Sequence, residues 1–150
     1  MLRVAVVDLG MGNLHSVERA LVRAATDAGV EASVERTSDP DALGRADKVV
    51  VPGQGAFRDC AAALGPARGL GEALRARIAA GTPYLGICLG LQALFEGSDE
   101  APGAAGLGVF QGRVVRLIKS ESGQSLAGVE FLNAAPRFWR TGTTPLSEEV

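Results

Sequence analysis

Cys88 lies in Tyr84-Leu85-Gly86-Ile87-Cys88-Leu89-Gly90-Leu91-Gln92, an apolar run that meets a Gly-x-Cys-x-Gly turn and then opens into a helical pattern. This is the thiol form of a nucleophile elbow, in which a sharp strand-to-helix turn pushes one side chain out above a sheet. Glycines are needed at 86 and 90 because Cβ atoms beside such a turn collide with neighbouring backbone. A thiolate attacking a carboxamide carbonyl needs two aligned N–H donors for the developing oxyanion. The elbow supplies one, from the backbone of Leu89. Pro52-Gly53-Gln54-Gly55 ends an earlier apolar run, and its Gln54 can supply the other because the flanking glycines leave that peptide free to turn. The usual base is missing after Cys88: the single histidine of the chain, His15, stands far upstream and reads as a surface or cap-region residue. Cys60 has no glycine bracket and reads as a small core residue.

Those loops need a sheet to hold them, and the composition allows one. A chain of 150 residues, 47% of them hydrophobic, is long enough for one domain with a sizeable core. The net charge of -2 argues against a nucleic-acid partner, and no stretch approaches membrane-spanning length. Two cysteines, no CxxC and no neighbouring histidine argue against a metal site and a disulfide framework, so no metal or other cofactor is expected. A reducing, cytoplasmic location fits that usage. Met1–Asp8 places an acid after a short apolar run without a small-residue cleavage site, so it reads as a strand and not as a signal peptide.

Apolar runs bounded by turn residues alternate with helical stretches, the pattern of a parallel α/β sheet. Leu2–Val7 reads as a buried strand. Asn13 can cap a helix that carries Leu14, Val17, Leu21 and Ala24 on one face and stops at Gly29. Glu31–Arg36 alternates as a strand, Ser38-Asp39-Pro40 starts a short helix, and Lys48–Val51 is a third strand broken by Pro52-Gly53. Helical patterns follow at Ala56–Leu64 and at Leu70–Ala80, the latter closed by Gly81. Beyond the elbow, Gly106–Ile118 suggests a Gly-rich turn and then a hairpin or edge strand. Leu126–Ala135 shows no clean period, and Thr141–Val150 reads as a solvated tail.

Four segments together resemble a family: Asp8-Leu9-Gly10-Met11-Gly12-Asn13-Leu14, Pro52-Gly53-Gln54-Gly55-Ala56-Phe57, Gly86-Ile87-Cys88-Leu89-Gly90-Leu91-Gln92-Ala93-Leu94-Phe95, and Ala101-Pro102-Gly103 with Gly106-Leu107-Gly108. In order and spacing, from Met1 to about Ile118, they resemble the glutaminase subunits of imidazole glycerol phosphate synthase, which are class I (triad) glutamine amidotransferases of histidine biosynthesis. The resemblance implies a doubly wound, mostly parallel α/β sheet of three layers, flavodoxin-like. It implies that Cys88 forms a γ-glutamyl thioester, with the amides of Gln54 and Leu89 as the oxyanion hole. Gly53, Gly55, Gln92 and Glu100 would help hold the substrate, L-glutamine. Met11, Gly12 and Asn13 would face a (β/α)8 cyclase subunit that consumes the ammonia, in a heterodimer. Gln54 stands where the family commonly carries valine, a departure of little consequence where the backbone acts.

The part after Ile118 departs further. The family continues with a Pro-His-x-Gly-Trp-Asn segment and ends in a His-Pro-Glu segment carrying the base and its orienting acid, and neither occurs here. The expectation is therefore an amidotransferase-like domain over 1–118, truncated at its C-terminal side, followed by a divergent tail at 119–150 that is poorly ordered or covers an edge. Without the later strands a sheet edge and an apolar face should be left exposed. Such a chain is expected to be an impaired enzyme by itself. Two other readings stand beside it: a non-catalytic module that binds a barrel partner or glutamine, and another elbow-cysteine α/β thiol hydrolase.

Overall fold

A computed structural model describes residues 1–119 and 125–130 of the chain. Four parallel strands, β1 (Leu2–Val7), β2 (Ala32–Thr37), β3 (Lys48–Gly53) and β4 (Tyr84–Cys88), form one sheet in the order β2-β1-β3-β4. That order, with crossover helices between the strands, is the doubly wound arrangement expected. β1 is central because it can be buried on both faces. Its alternate residues divide the core: Ala5 and Val7 join the large cluster on one side, while Val4 and Val6 join a smaller one on the other. β3 divides in the same way, with Val49 and Val51 in the first cluster and Val50 in the second.

The larger cluster is completed by α2 (Pro40–Gly44), α3 (Phe57–Ala63) and α4 (Leu70–Ala79), which contribute Leu43, Phe57, Cys60, Leu70 and Leu74, all fully buried. The smaller one is covered by α1 (Leu14–Asp27) through Leu14, Val17 and Leu21, all partly buried. Asn13 caps α1 as expected, its side-chain oxygen accepting the Ser16 amide at 3.1 Å. Asp39 caps α2 in the same manner through Asp41, with Pro40 in the first turn. Pro52 sits in an inner strand without removing a ladder bond between β1 and β3, because that pairing ends at Val50.

The structure departs from the sequence reading after the elbow. The helix that follows Cys88, α5 (Leu89–Gln92), is a single turn, and β5 (Phe95–Ser98) begins three residues later. β5 pairs in parallel with β6 (Phe110–Lys119), and β6 pairs antiparallel with β7 (Ser125–Glu130), making a separate three-stranded sheet. β6 is thus the middle strand of that sheet and not an edge, although its pairing with β7 is the hairpin that Gly106–Ile118 suggested. All of β7 but its first residue falls in the stretch that shows no clean period. Its pairing is supplied by the neighbour, with Ile118 opposite Leu126 and Val114 opposite Val129, and a register shift between Val115 and Ile118 blurs any alternation. Residues 131–150, including the expected solvated tail, lie outside the described residues. Among the described residues β4 ends the first sheet, and Leu85 and Ile87 on it are 52% and 40% exposed. No helix among those residues is long and apolar enough to cross a membrane.

Candidate active site

Parallel sheets of this kind open at the carboxyl ends of their strands, where loops can approach a ligand without blocking the core. The register brings the two chemistry-bearing loops together there: Gly53, the last residue of β3, pairs with Cys88, the last residue of β4. Gln54 and Leu89 are the next residues on each chain, so both expected oxyanion donors leave the sheet side by side.

Cys88 has φ 54° and ψ -115° and is the one non-glycine residue with positive φ among the described residues. L-residues avoid this region, so the turn holds Cys88 against local preference. Cys88 is exposed, whereas Cys60 is buried. Burial pushes the Cys60 thiol up to about 11 and keeps it protonated at neutral pH, consistent with its reading as a core residue.

Three glycines permit the backbone approach that shapes this turn. A Cβ on Gly86 would lie 2.5 Å from the Leu91 nitrogen, one on Gly53 would lie 2.7 Å from the Leu89 Cβ, and one on Gly90 would overlap the Val51 carbonyl oxygen. Gly55 has φ +110° and open space around it, so it is needed for conformation and not for room. The loop beyond the elbow is pinned to the exit of α5. The amide of Leu107 donates to the Ala93 carbonyl (2.6 Å), that of Phe110 to Leu94 (3.0 Å), and Nε of Arg75 on α4 donates to the Leu107 carbonyl (2.7 Å). These bonds hold Gly106-Leu107-Gly108 beside the elbow.

The other sequence-picked residues fall at different depths. Gln92 ends α5 and is half-buried. Glu100 is exposed, and its Oε1 accepts the amide of Phe57 at 3.3 Å, so it caps α3 just behind the Gln54 loop. Gly12 lies against that loop from the other side, since a Cβ there would be 3.8 Å from both the nitrogen and the Cβ of Gln54. Met11 reaches the main core cluster, while Gly12 and Asn13 are exposed. His15 is exposed on the first turn of α1.

One residue was not picked from sequence. Tyr84, at the start of β4, donates its hydroxyl hydrogen to the Gly90 carbonyl at 2.7 Å. Burial, with the neighbouring Cys60 second, pushes its hydroxyl above the ordinary range and leaves it a donor. The available signal was a lone polar tip in an otherwise apolar strand, which must find a partner when buried.

A glycine-bracketed cysteine held at positive φ thus stands at the carboxyl end of a parallel sheet, beside the loop that follows β3. Residues 5–132 match the family "Glutamine amidotransferase class-I". The chain belongs to that family. A solved glutamine amidotransferase shares the fold, with a TM-score of 0.60 over 85% of this chain and 70% of that one at 23% identity. Curated relatives are more similar in sequence. The imidazole glycerol phosphate synthase subunit HisH of Methylococcus capsulatus is 50% identical over 123 residues, 82% of this chain and 54% of that protein. The same subunit of Chromobacterium violaceum is 46% identical over 138 residues, 92% of this chain and 60% of that protein. A third, from Thermococcus kodakarensis, is 51% identical over 113 residues, 75% of this chain and 51% of that protein. The chain thus spans about half to three-fifths of the length of these relatives.

Proposed function

We propose that this chain carries the nucleophile half of a glutaminase that supplies ammonia to the cyclase subunit of imidazole glycerol phosphate synthase, in histidine biosynthesis. The observation that supports the reading is the pairing of Gly53 with Cys88, which brings an exposed cysteine at positive φ beside the loop that begins at Gln54. In the proposed reaction the Cys88 sulfur attacks the γ-carboxamide carbon of L-glutamine, and the two amides stabilise the tetrahedral oxyanion. Collapse expels ammonia and leaves a γ-glutamyl thioester, which water then hydrolyses to glutamate. Gly53 and Gly55, through the backbone of the loop they shape, and Gln92 and Glu100 help hold the substrate.

The acidic and basic steps need a proton carrier, and His15 is the only histidine of the chain. Its exposed place on α1 gives it no role in this reading, so turnover by the chain as it stands should be negligible. The packing of Gly12 against the Gln54 loop supports Met11–Asn13 as the surface that meets the cyclase, since a partner pressing there would bear directly on an oxyanion donor. The domain of this activity is proposed to be 1–118, with 119–150 as the divergent part.

The test is glutamate release from L-glutamine in the presence of the cyclase subunit. The unaltered chain should show none above background. A chimera in which a family C-terminal segment bearing its His and Glu follows Ile118 should turn over glutamine, and Cys88→Ala in that chimera should abolish it. Turnover by the unaltered chain would refute the half-site reading and make His15 the first candidate base.

A further inference from the structure

We propose that Tyr84 is a positioning residue for the oxyanion hole: through its hydrogen bond to the Gly90 carbonyl it aims the Leu89 amide beside Cys88. This rests on the amidotransferase reading above and adds a residue to it.

The argument begins with the shortness of α5. A one-turn helix leaves most of its carbonyls without helical partners. Here the Leu89 carbonyl accepts the amide of Ala93 (2.8 Å) and the Leu91 carbonyl accepts that of Leu94 (3.2 Å). In a longer helix the Leu94 amide would serve Gly90. Because it turns to Leu91 instead, the Gly90 carbonyl is taken by the Tyr84 hydroxyl at 2.7 Å. The bond joins the first residue of β4 to the second residue of α5, and Cys88 and Leu89 lie within the loop it closes.

Both ends of this clasp are anchored. The Tyr84 ring packs against the large core cluster that contains Cys60 and Leu74, so the hydroxyl is placed by the core and not by the loop. Gly90 lies hard against β3, where a Cβ would overlap the Val51 carbonyl oxygen. The peptide between Gly90 and Leu91, whose carbonyl the clasp holds, therefore has little freedom, and the Leu89 amide, two peptides earlier in the same single turn, is held with it. Removing the hydroxyl frees the Gly90 carbonyl and lets the one-turn helix rotate about Cys88, whose φ of 54° already favours relaxation. Sub-ångström misalignment of an oxyanion donor is felt in rate before it is felt in binding.

The experiment uses the full chain and two electrophiles, an L-glutamine-derived chloromethyl ketone and iodoacetamide. The ketone passes through a tetrahedral oxyanion before its chloride is displaced by the Cys88 sulfur, whereas iodoacetamide is displaced directly and needs no hole. Tyr84→Phe should lower the maximal labelling rate by the ketone about tenfold, with its half-saturating concentration and the iodoacetamide rate unchanged. An unchanged maximal rate, or equal losses with both reagents, would overturn the proposal. A second readout avoids the variant altogether. Tyr84 is the only tyrosine in the chain, so 3-fluorotyrosine gives one 19F resonance. That resonance should move when the ketone adduct forms and stay in place with the iodoacetamide adduct, and a resonance indifferent to both would also refute the clasp. A wild-type chain that reacts with iodoacetamide but not with the ketone would overturn the amidotransferase reading itself, and this proposal with it.

Discussion

The carbonyl oxygen of Val51 occupies the space that a Cβ on Gly90 would need. The elbow helix thus rests directly on the backbone of β3, and the absence of one methyl group sets the height at which Cys88 is presented. Gly90→Ala must push α5 off the sheet. We expect a loss of about 3 kcal/mol, read from the urea midpoint, since overpacking against backbone cannot be relieved by a rotamer change. Gly44, at the end of α2, is the control: nothing lies within 4 Å of a Cβ there, so Gly44→Ala should gain about 0.5 kcal/mol.

Backbone strain at Cys88 is measurable apart from reactivity. Cys88→Gly removes the penalty of a positive φ that Cys88→Ala retains. The glycine variant should exceed the alanine variant in stability by about 1 kcal/mol in urea unfolding. Equal stabilities would mean that the turn relaxes once the thiol is gone.

Thiol labelling should follow exposure. Iodoacetamide should modify Cys88 first and leave Cys60 untouched in the folded chain, because Cys60 is buried and its thiol is pushed up to about 11. Peptide mapping by mass spectrometry at neutral pH checks the order. Raising the pH toward 10 should not reverse it, since thiolate at Cys60 remains the minor form there.

Arg3 and Asp47 provide a pH handle remote from the site. Hydrogen bonds from the Arg3 side chain and then from its backbone amide lower the Asp47 carboxyl from an ordinary 3.8 to about 2. A depressed carboxyl stabilises the fold above its unfolded value, and that contribution disappears as the pH falls through about 2. Carbon-13 NMR titration should find Asp47 near 2 in the native chain and raised in Arg3→Met, though still below the ordinary value because the backbone amide at position 3 continues to donate. The pair is exposed, so the difference should shrink in high salt.

Much of this protein is determined by its sequence alone, and the reasons are local. Valines alternating between the two faces of β1 and β3 define buried strands, Asn13 and Asp39 announce helix starts by capping chemistry, and Gly86 and Gly90 around Cys88 can hardly mean anything but a tight turn, because the steric demand acts within a few residues. Tertiary structure decided what depends on partners distant in the chain. The pairing of Gly53 with Cys88 comes from the register of β3 on β4, 35 residues apart, and it brings two separate turns side by side. α5 stops after one turn because β5 must reach β6, and β7 is a strand because β6 offers it an edge, a preference that Ser125–Glu130 does not carry in its own alternation. Glu100 on the amide of Phe57 and Tyr84 on the carbonyl of Gly90 are of the same kind: a side chain's composition shows that it needs a hydrogen-bond partner, but only the folded chain decides which one it meets.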